Sequence, residues 1–285
     1  MTGFEVWEIT KANIPYDPPW NRDRVFLTGA FILDAKSDEV APLTPLTQWP
    51  TALQERALID DILYVLLGIE GKYIRFSFGI DAAVTDASLA ALASKVIVLG
   101  TYYLHVTHYI ETHRRYEYGQ VCHAFCAALK VLLREYTVVV AQLEHLAMRG
   151  DLSLSKLWFY VQPSLRAMEL LSNVVKSSVA QQGGALLSGI AHVPTSGDAK
   201  ATSVLNFLLE KASAPYLQML ELWIYHGELK DPYDEFMVAS DETLQKEEVS
   251  DDPWSKYWER RYTLRATHVP SYLDRVAHKV LTTGK

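Results

Sequence analysis

The run GQVCHAFCAALKVLLREYTVVVAQLEHLAMR at residues 119–149 decides the fold class. Val121, Phe125, Leu129, Leu132, Tyr136, Val139, Leu143 and Leu146 recur in it at steps of three and four, which lays one apolar stripe along a helix. Gly150 supplies the stop. At about 1.5 Å per residue such a helix is a rod of roughly 45 Å. A rod apolar on one face throughout needs neighbours along most of its length, so the run predicts an elongated stack of helical bundles.

The flanks repeat the pattern. Upstream, Leu53, Leu58, Ile62, Val65, Leu66 and Ile69 predict a helix from Thr51, with Gly68 and Gly71 placed to end it. Leu89, Leu92, Val96, Leu99, Tyr103, Val106 and Ile110 predict a second helix over residues 86–115. Downstream, residues 153–179 fit the same template, with Pro163 expected to kink or divide the helix. Residues 181–200 have the Gly, Ser and Pro density of a surface loop and form the best internal boundary. Shorter helices are expected at 202–211, 215–226, 254–265 and 270–283, with an acidic, solvated stretch at 240–252. Residues 1–50 carry many prolines and read as an irregular segment packing on the bundle, although residues 25–33 fit a short helix or a strand equally well. The expected organisation is therefore all-α: an irregular segment at 1–50, a first helical bundle at 51–180, a loop at 181–200 and a second bundle at 201–285. No strand-helix alternation and no repeat of fixed period breaks this reading.

Composition narrows the function classes. With 49% hydrophobic positions in 285 residues the chain can bury a large core. Acidic residues outnumber basic ones by 34 to 27, and no Lys/Arg run interleaves with aromatics, which argues against a nucleic-acid partner. Cys122 and Cys126 fall one helical turn apart rather than bridging distant segments, which fits a reducing compartment. Glu5, Glu8 and Lys11 interrupt the first residues, so no secretory signal is read there. The longest apolar stretch free of Asp, Glu, Lys and Arg, residues 96–110, falls short of the ~20 residues a bilayer requires, so no membrane insertion is expected.

Motifs that would carry chemistry are incomplete. Cys122, His123 and Cys126 lack the second ligand pair of a zinc site. His105 and His108 lie in no di-iron or HExxH pattern. Asp60 and Asp61 resemble the start of an aspartate-rich magnesium motif, but Tyr64 stands where the next carboxylate belongs. The run GIEGK at 68–72 ends like a phosphate loop, yet Leu66 and Tyr73 replace the required Gly and hydroxyl. No cofactor is expected. Trp254, Trp258 and Tyr262 fall on an i, i+4, i+8 line, which reads as packing against the bundle before it reads as a partner anchor.

Six segments, however, resemble a known family: FLTGAFILDA (26–35), ERALIDDILYVLLGIEGKYI (55–74), YGQVCHAFCAALKVLLREYTVVVAQLEH (118–145), LWFYVQP (157–163), WIYHGELKDPYDEFMV (223–238) and WERRYTL (258–264). They are similar to the gamma-tubulin complex components, with LWFYVQP pointing to the component 2 branch. The resemblance implies a non-catalytic helical scaffold of the cytoplasm and cytoskeleton, at the centrosome, spindle pole or another microtubule-organising centre. It would contact sister components laterally, chiefly component 3, and so arrange gamma-tubulin for microtubule nucleation. Gamma-tubulin itself would bind a C-terminal half expected after residue 285. An alternative is an adaptor whose inter-helix groove takes helical peptides, mozart-type small proteins or recruiting adaptors. The family-motif residues are Gly68, Gly71, Asp231, Pro232, Tyr233, Glu235, Phe236, Trp258, Arg261 and Tyr262, all expected to be structural, with Tyr233 and Phe236 plugging the core and Arg261 and Glu259 forming ion pairs.

Overall fold

Apolar residues at helical spacing become helices wherever the chain is described. The computed structural model describes residues 46, 49–76, 79–80, 86–113, 115–193, 197–241 and 255–284. Most of the irregular segment expected at 1–50, the acidic residues 242–252 and Trp254 lie outside them. Among the described residues there are eight α-helices: α1 (Thr51–Leu66), α2 (Ala87–Thr112), α3 (Gly119–Arg149), α4 (Leu154–Ser178), α5 (Gly183–Ala191), α6 (Ala199–His226), α7 (Ser255–Arg261) and α8 (Ala277–Gly284). Two short antiparallel pairs accompany them, β1 (Ile74–Arg75) with β2 (Gly79–Ile80) and β3 (Val238–Ser240) with β4 (Tyr262–Leu264). The class is all-α, as the periodicity predicts.

The chain does not divide at residues 181–200. It forms two compact units that alternate along the sequence, the first from residues 1–101 and 137–165, the second from 102–136 and 166–285. In the first unit Leu58, Ile62 and Leu66 of α1, Val96 and Leu99 of α2, and Leu154 and Leu157 of α4 are fully buried. Two side chains join the helix starts here: the Gln54 carbonyl accepts from Asp86 N at 3.3 Å, and Glu55 accepts from Leu154 N at 2.7 Å. In the second unit the core comprises Phe125 and Leu129 of α3, Met168 of α4, Leu186 and Ile190 of α5, Leu208, Tyr216 and Trp223 of α6, and Phe236.

Four sequence expectations change. Residues 181–200 contain α5, whose Leu186, Leu187 and Ile190 are buried; its high Gly and Ser content marks a helix that packs closely, not a surface loop. The helices expected at 202–211 and 215–226 are one, α6, which runs through Pro215 because Ala212, Tyr216 and Met219 on both sides are buried and outweigh one lost backbone hydrogen bond. Pro163 likewise lies inside a single α4, so of the kink or division expected there the division does not occur. The helix expected at 254–265 stops at Arg261, where Tyr262 enters β4 opposite Ser240, so Trp258 and Tyr262 lie on either side of a helix-strand junction.

Two ends behave as read. Gly68 takes a left-handed φ of 78° after α1, and Gly227 takes 63° after α6. By length and composition alone α2 is apolar enough to cross a bilayer, being longer than the uncharged run suggests, yet Ala93, Val96, Leu99 and Val106 on it are fully buried in the protein.

Candidate functional site

A 31-residue helix begins at Gly119 with Tyr118 before it, so α3 has no Ser, Thr, Asp or Asn to close its first turn. The missing acceptor comes from more than a hundred residues away. The Glu235 carboxylate receives the N–H of Gln120 at 2.6 Å and the N–H of Val121 at 3.2 Å. A negative group at that end also meets the positive end of the helix dipole. The approach is possible because Gly119 has no side chain: its φ is +87°, and a Cβ there would collide with the Glu235 carboxylate. Glu235 is 2% exposed. Burial pushes its carboxyl above the ordinary range, opposed by the Val121 and Gln120 N–H groups, while nearby Asp231 adds to the rise.

The DPYDEF turn that delivers Glu235 is itself tied down. Both carboxylate oxygens of Asp231 accept backbone N–H groups, from Glu235 at 3.0 Å and from Phe236 at 2.8 Å. Asp234 sits at φ 58°, the one non-glycine with positive φ among the described residues, and Arg265 holds it through its backbone carbonyl at 3.0 Å and its carboxylate at 2.7 Å. Phe236 is fully buried with its ring 5.3 Å from that of Tyr216, whose hydroxyl donates to the His268 carbonyl at 3.0 Å. A Cβ on Gly183 would strike the Glu235 carbonyl, so the start of α5 lies hard against the same turn. Pro232 stiffens the turn's entry. Tyr233 corrects the expectation of a core plug: it is 36% exposed, because the left-handed Asp234 turns Phe236 inward and leaves Tyr233 outside.

The first unit holds a smaller version of the same device. Asp61 is a buried carboxylate on α1 that accepts Tyr73 N at 2.5 Å, and a Cβ on Gly71 would come within 2.6 Å of its carboxyl carbon. Gly71 N donates to the Ile74 carbonyl at 3.0 Å, folding GIEGKYI back onto α1. Burial raises the Asp61 pKa, against the pull of the Tyr73, Lys72 and Ile74 N–H groups. Asp61 thus points at backbone, which accounts for the incomplete magnesium motif, and Gly68 and Gly71 shape a helix end rather than a phosphate loop.

The third family segment is an aromatic stack. Trp258 and Tyr262 are parallel to within 2° at 5.9 Å, and Tyr262 meets Trp223 edge-on at 4.8 Å. Trp223 is fully buried and donates its indole N–H to the Val280 carbonyl at 2.9 Å. Arg261 donates to the Tyr257 hydroxyl at 2.6 Å, and its guanidinium lies over the rings of Tyr257, Trp258 and Tyr262. Its role is thus to bind the stack, beyond the ion pairing expected for it, while Glu259 is exposed.

The remaining polar candidates are used locally. Cys122 and Cys126 are buried thiols, Cys126 pushed up by its hydrogen bond to Cys122 and by burial, while His123 turns to the Arg115 carbonyl at 3.2 Å. His105 and His108 are exposed, His105 within 3.3 Å of the Ser172 hydroxyl. Among the described residues no group of three or more His, Cys, Asp or Glu side chains is placed to hold a metal ion. Two parts of the site escape sequence reading: Glu235 as the acceptor for α3, and Arg265 as the clamp on Asp234. The available signal is the absence of any capping side chain before so long a helix.

The three clusters fall on segments that other proteins share. The family profile described as "Gamma tubulin complex component N-terminal" matches residues 59–285. Over 95% of its length the chain is 40% identical to mouse gamma-tubulin complex component 2, spanning 31% of that protein. Over 97% of its length it is 38% identical to component 2 of Arabidopsis thaliana, spanning 45% of it. Human component 3 is 33% identical over 82% of the chain, which spans 27% of that protein. The chain therefore covers less than half the length of these relatives.

Proposed function

This chain belongs to the gamma-tubulin complex component family, and from that premise we propose that it is a non-catalytic scaffold which docks sideways on sister components, chiefly component 3. Repetition of such a contact with a fixed rotation and rise generates an open helix or a nearly closed ring. In that arrangement the subunits space gamma-tubulin for microtubule nucleation, at a centrosome, spindle pole or another microtubule-organising centre. On this reading gamma-tubulin itself is bound outside the residues of this chain.

The observation that carries the reading is the use to which the family segments are put. The GIEGKYI, DPYDEF and WERRYTL residues close helix ends and fix turns with buried carboxylates and stacked rings. Such residues keep helices in a fixed place, which is what a spacing element requires. Sedimentation of this chain with the matching half of component 3 tests the proposal. A heterodimer is expected at tens of micromolar or below, the range of a modest interface. Two folded partners that sediment separately at that concentration would sink it.

A further inference from the structure

We propose that the outward face shared by α2 and α4 in the first unit, centred on Phe159, receives an acidic surface of a sister component tipped with an apolar side chain. This rests on the proposed function and identifies the face through which it acts.

Phe159 is 66% exposed on α4, in the LWFYVQP segment, and Val98 on α2 is 41% exposed. The two helices meet here, with the Lys95 ammonium of α2 5.9 Å from the centre of the Trp158 ring of α4. Residues 87–101 and 154–165 hold only two charged side chains, Lys95 and Lys156, and no carboxylate. In a chain with 34 acidic residues against 27 basic ones, an exposed region of two helices without a single Asp or Glu departs from the rest of the surface. Helix faces that meet only water are ordinarily dense in charge of both signs.

Neither cation meets a carboxylate among the described residues. Lys156 donates to the backbone carbonyl of Asp151 at 2.9 Å, and Lys95 lies over an indole, with no carboxylate in ion-pair range of either among the described residues. The face thus offers a protruding aromatic ring, two ammonium groups with no carboxylate partner among the described residues, and the amide of Gln162, which is exposed. That is the layout of an interface anchor with a polar rim. Its complement carries carboxylates opposite Lys95 and Lys156 and an aliphatic or aromatic recess or tip for Phe159.

The test uses this chain and the matching half of component 3, with affinity measured by sedimentation or anisotropy. Phe159→Ala, and separately Lys95→Glu with Lys156→Glu, should each weaken the wild-type association at least about tenfold. Affinity of the wild type should fall as salt is raised, whereas Tyr225→Ala, at an exposed residue of the second unit, should leave it unchanged. All variants should melt with the wild type, since the altered side chains are on the surface. A heterodimer indifferent to both sets of substitutions overturns this surface and leaves the proposed function standing. Absence of any heterodimer overturns both. A homodimer of this chain that Phe159→Ala abolishes would give the face to a second copy and would likewise overturn the assignment.

Discussion

The Asp61 turn and the Glu235 knot solve one problem at two ranges. In each, a buried carboxylate faces a glycine and accepts backbone N–H groups that would otherwise be unpaired. Asp61 reaches Tyr73, twelve residues on, and closes a hairpin-like return beside its own helix. Glu235 reaches Gln120 across 115 residues and joins the start of the long helix α3 to the turn after α6. The first can form as soon as α1 does, whereas the second forms only once distant parts of the chain have met. The same chemistry therefore stabilises a local turn in one place and the cooperativity of a whole unit in the other.

Substitution at the two glycines should separate them most. Gly119→Ala forces a side chain into a left-handed backbone and onto a carboxylate, so a loss of roughly 3 kcal/mol or more is expected in chemical denaturation. Gly71→Ala meets the Asp61 carboxyl without a positive φ and should cost less, roughly 2 kcal/mol. Equal losses at the two sites would break the comparison. Removal of the carboxylates comes next. Glu235→Ala leaves two N–H groups of α3 without their acceptor in a buried setting and should cost about 2–3 kcal/mol, with Asp61→Ala near the lower end. In the double variant Gly119→Ala with Glu235→Ala the losses should fall short of additive, because the second substitution removes what the first strikes.

The clamp on the turn is the weaker part. Arg265 is partly exposed and its partner Asp234 largely so, hence Arg265→Ala should cost about 1 kcal/mol at most, read from the same denaturation midpoints. The smallest effect is on pH dependence. Burial raises the Glu235 pKa above the 4.5 of an ordinary glutamate, so the native state binds the proton more readily than the unfolded chain does. The stability gained this way is fully present below the unfolded value and is lost as pH rises through the folded one. Glu235→Gln is neutral at every pH and carries no such dependence, so wild type should lose stability relative to it as pH rises from below 4.5 toward neutrality. Wild type that instead gains stability on Glu235→Gln with rising pH would mean that the N–H groups outweigh burial and that the charged form is the favoured one.

The helices were legible because their apolar stripes are local patterns. Val121 to Leu146 needs no knowledge of what α3 packs against. The left-handed stops at Gly68 and Gly227 are equally local. Pro215 and residues 181–200 misled for the opposite reason, since burial of Tyr216 and Leu186 by the rest of the unit outweighs the local preference of Pro, Gly and Ser. In the segments that carry the resemblance, Asp231, Glu235 and Phe236 are expected to be structural, but nothing in the residue types names their partners. Glu235 gives no sign in its own neighbourhood that it serves Gln120, and only the bare start of α3 marks the vacancy it fills. Tyr233 was misplaced because the left-handed state of Asp234 depends on Arg265, which lies 31 residues away.

Hydrogen exchange at the Gln120 and Val121 amides addresses the long-range clamp most directly. First-turn amides with no acceptor exchange through fraying, while amides held by a buried carboxylate exchange only when the unit opens. The wild-type protein should protect both nearly as well as the amides in the middle of α3, and Glu235→Ala should return them to rapid exchange with mid-helix protection retained. Fast exchange at both amides in the wild type would show that Glu235 does not close α3, and the account of how these helices are held would fail.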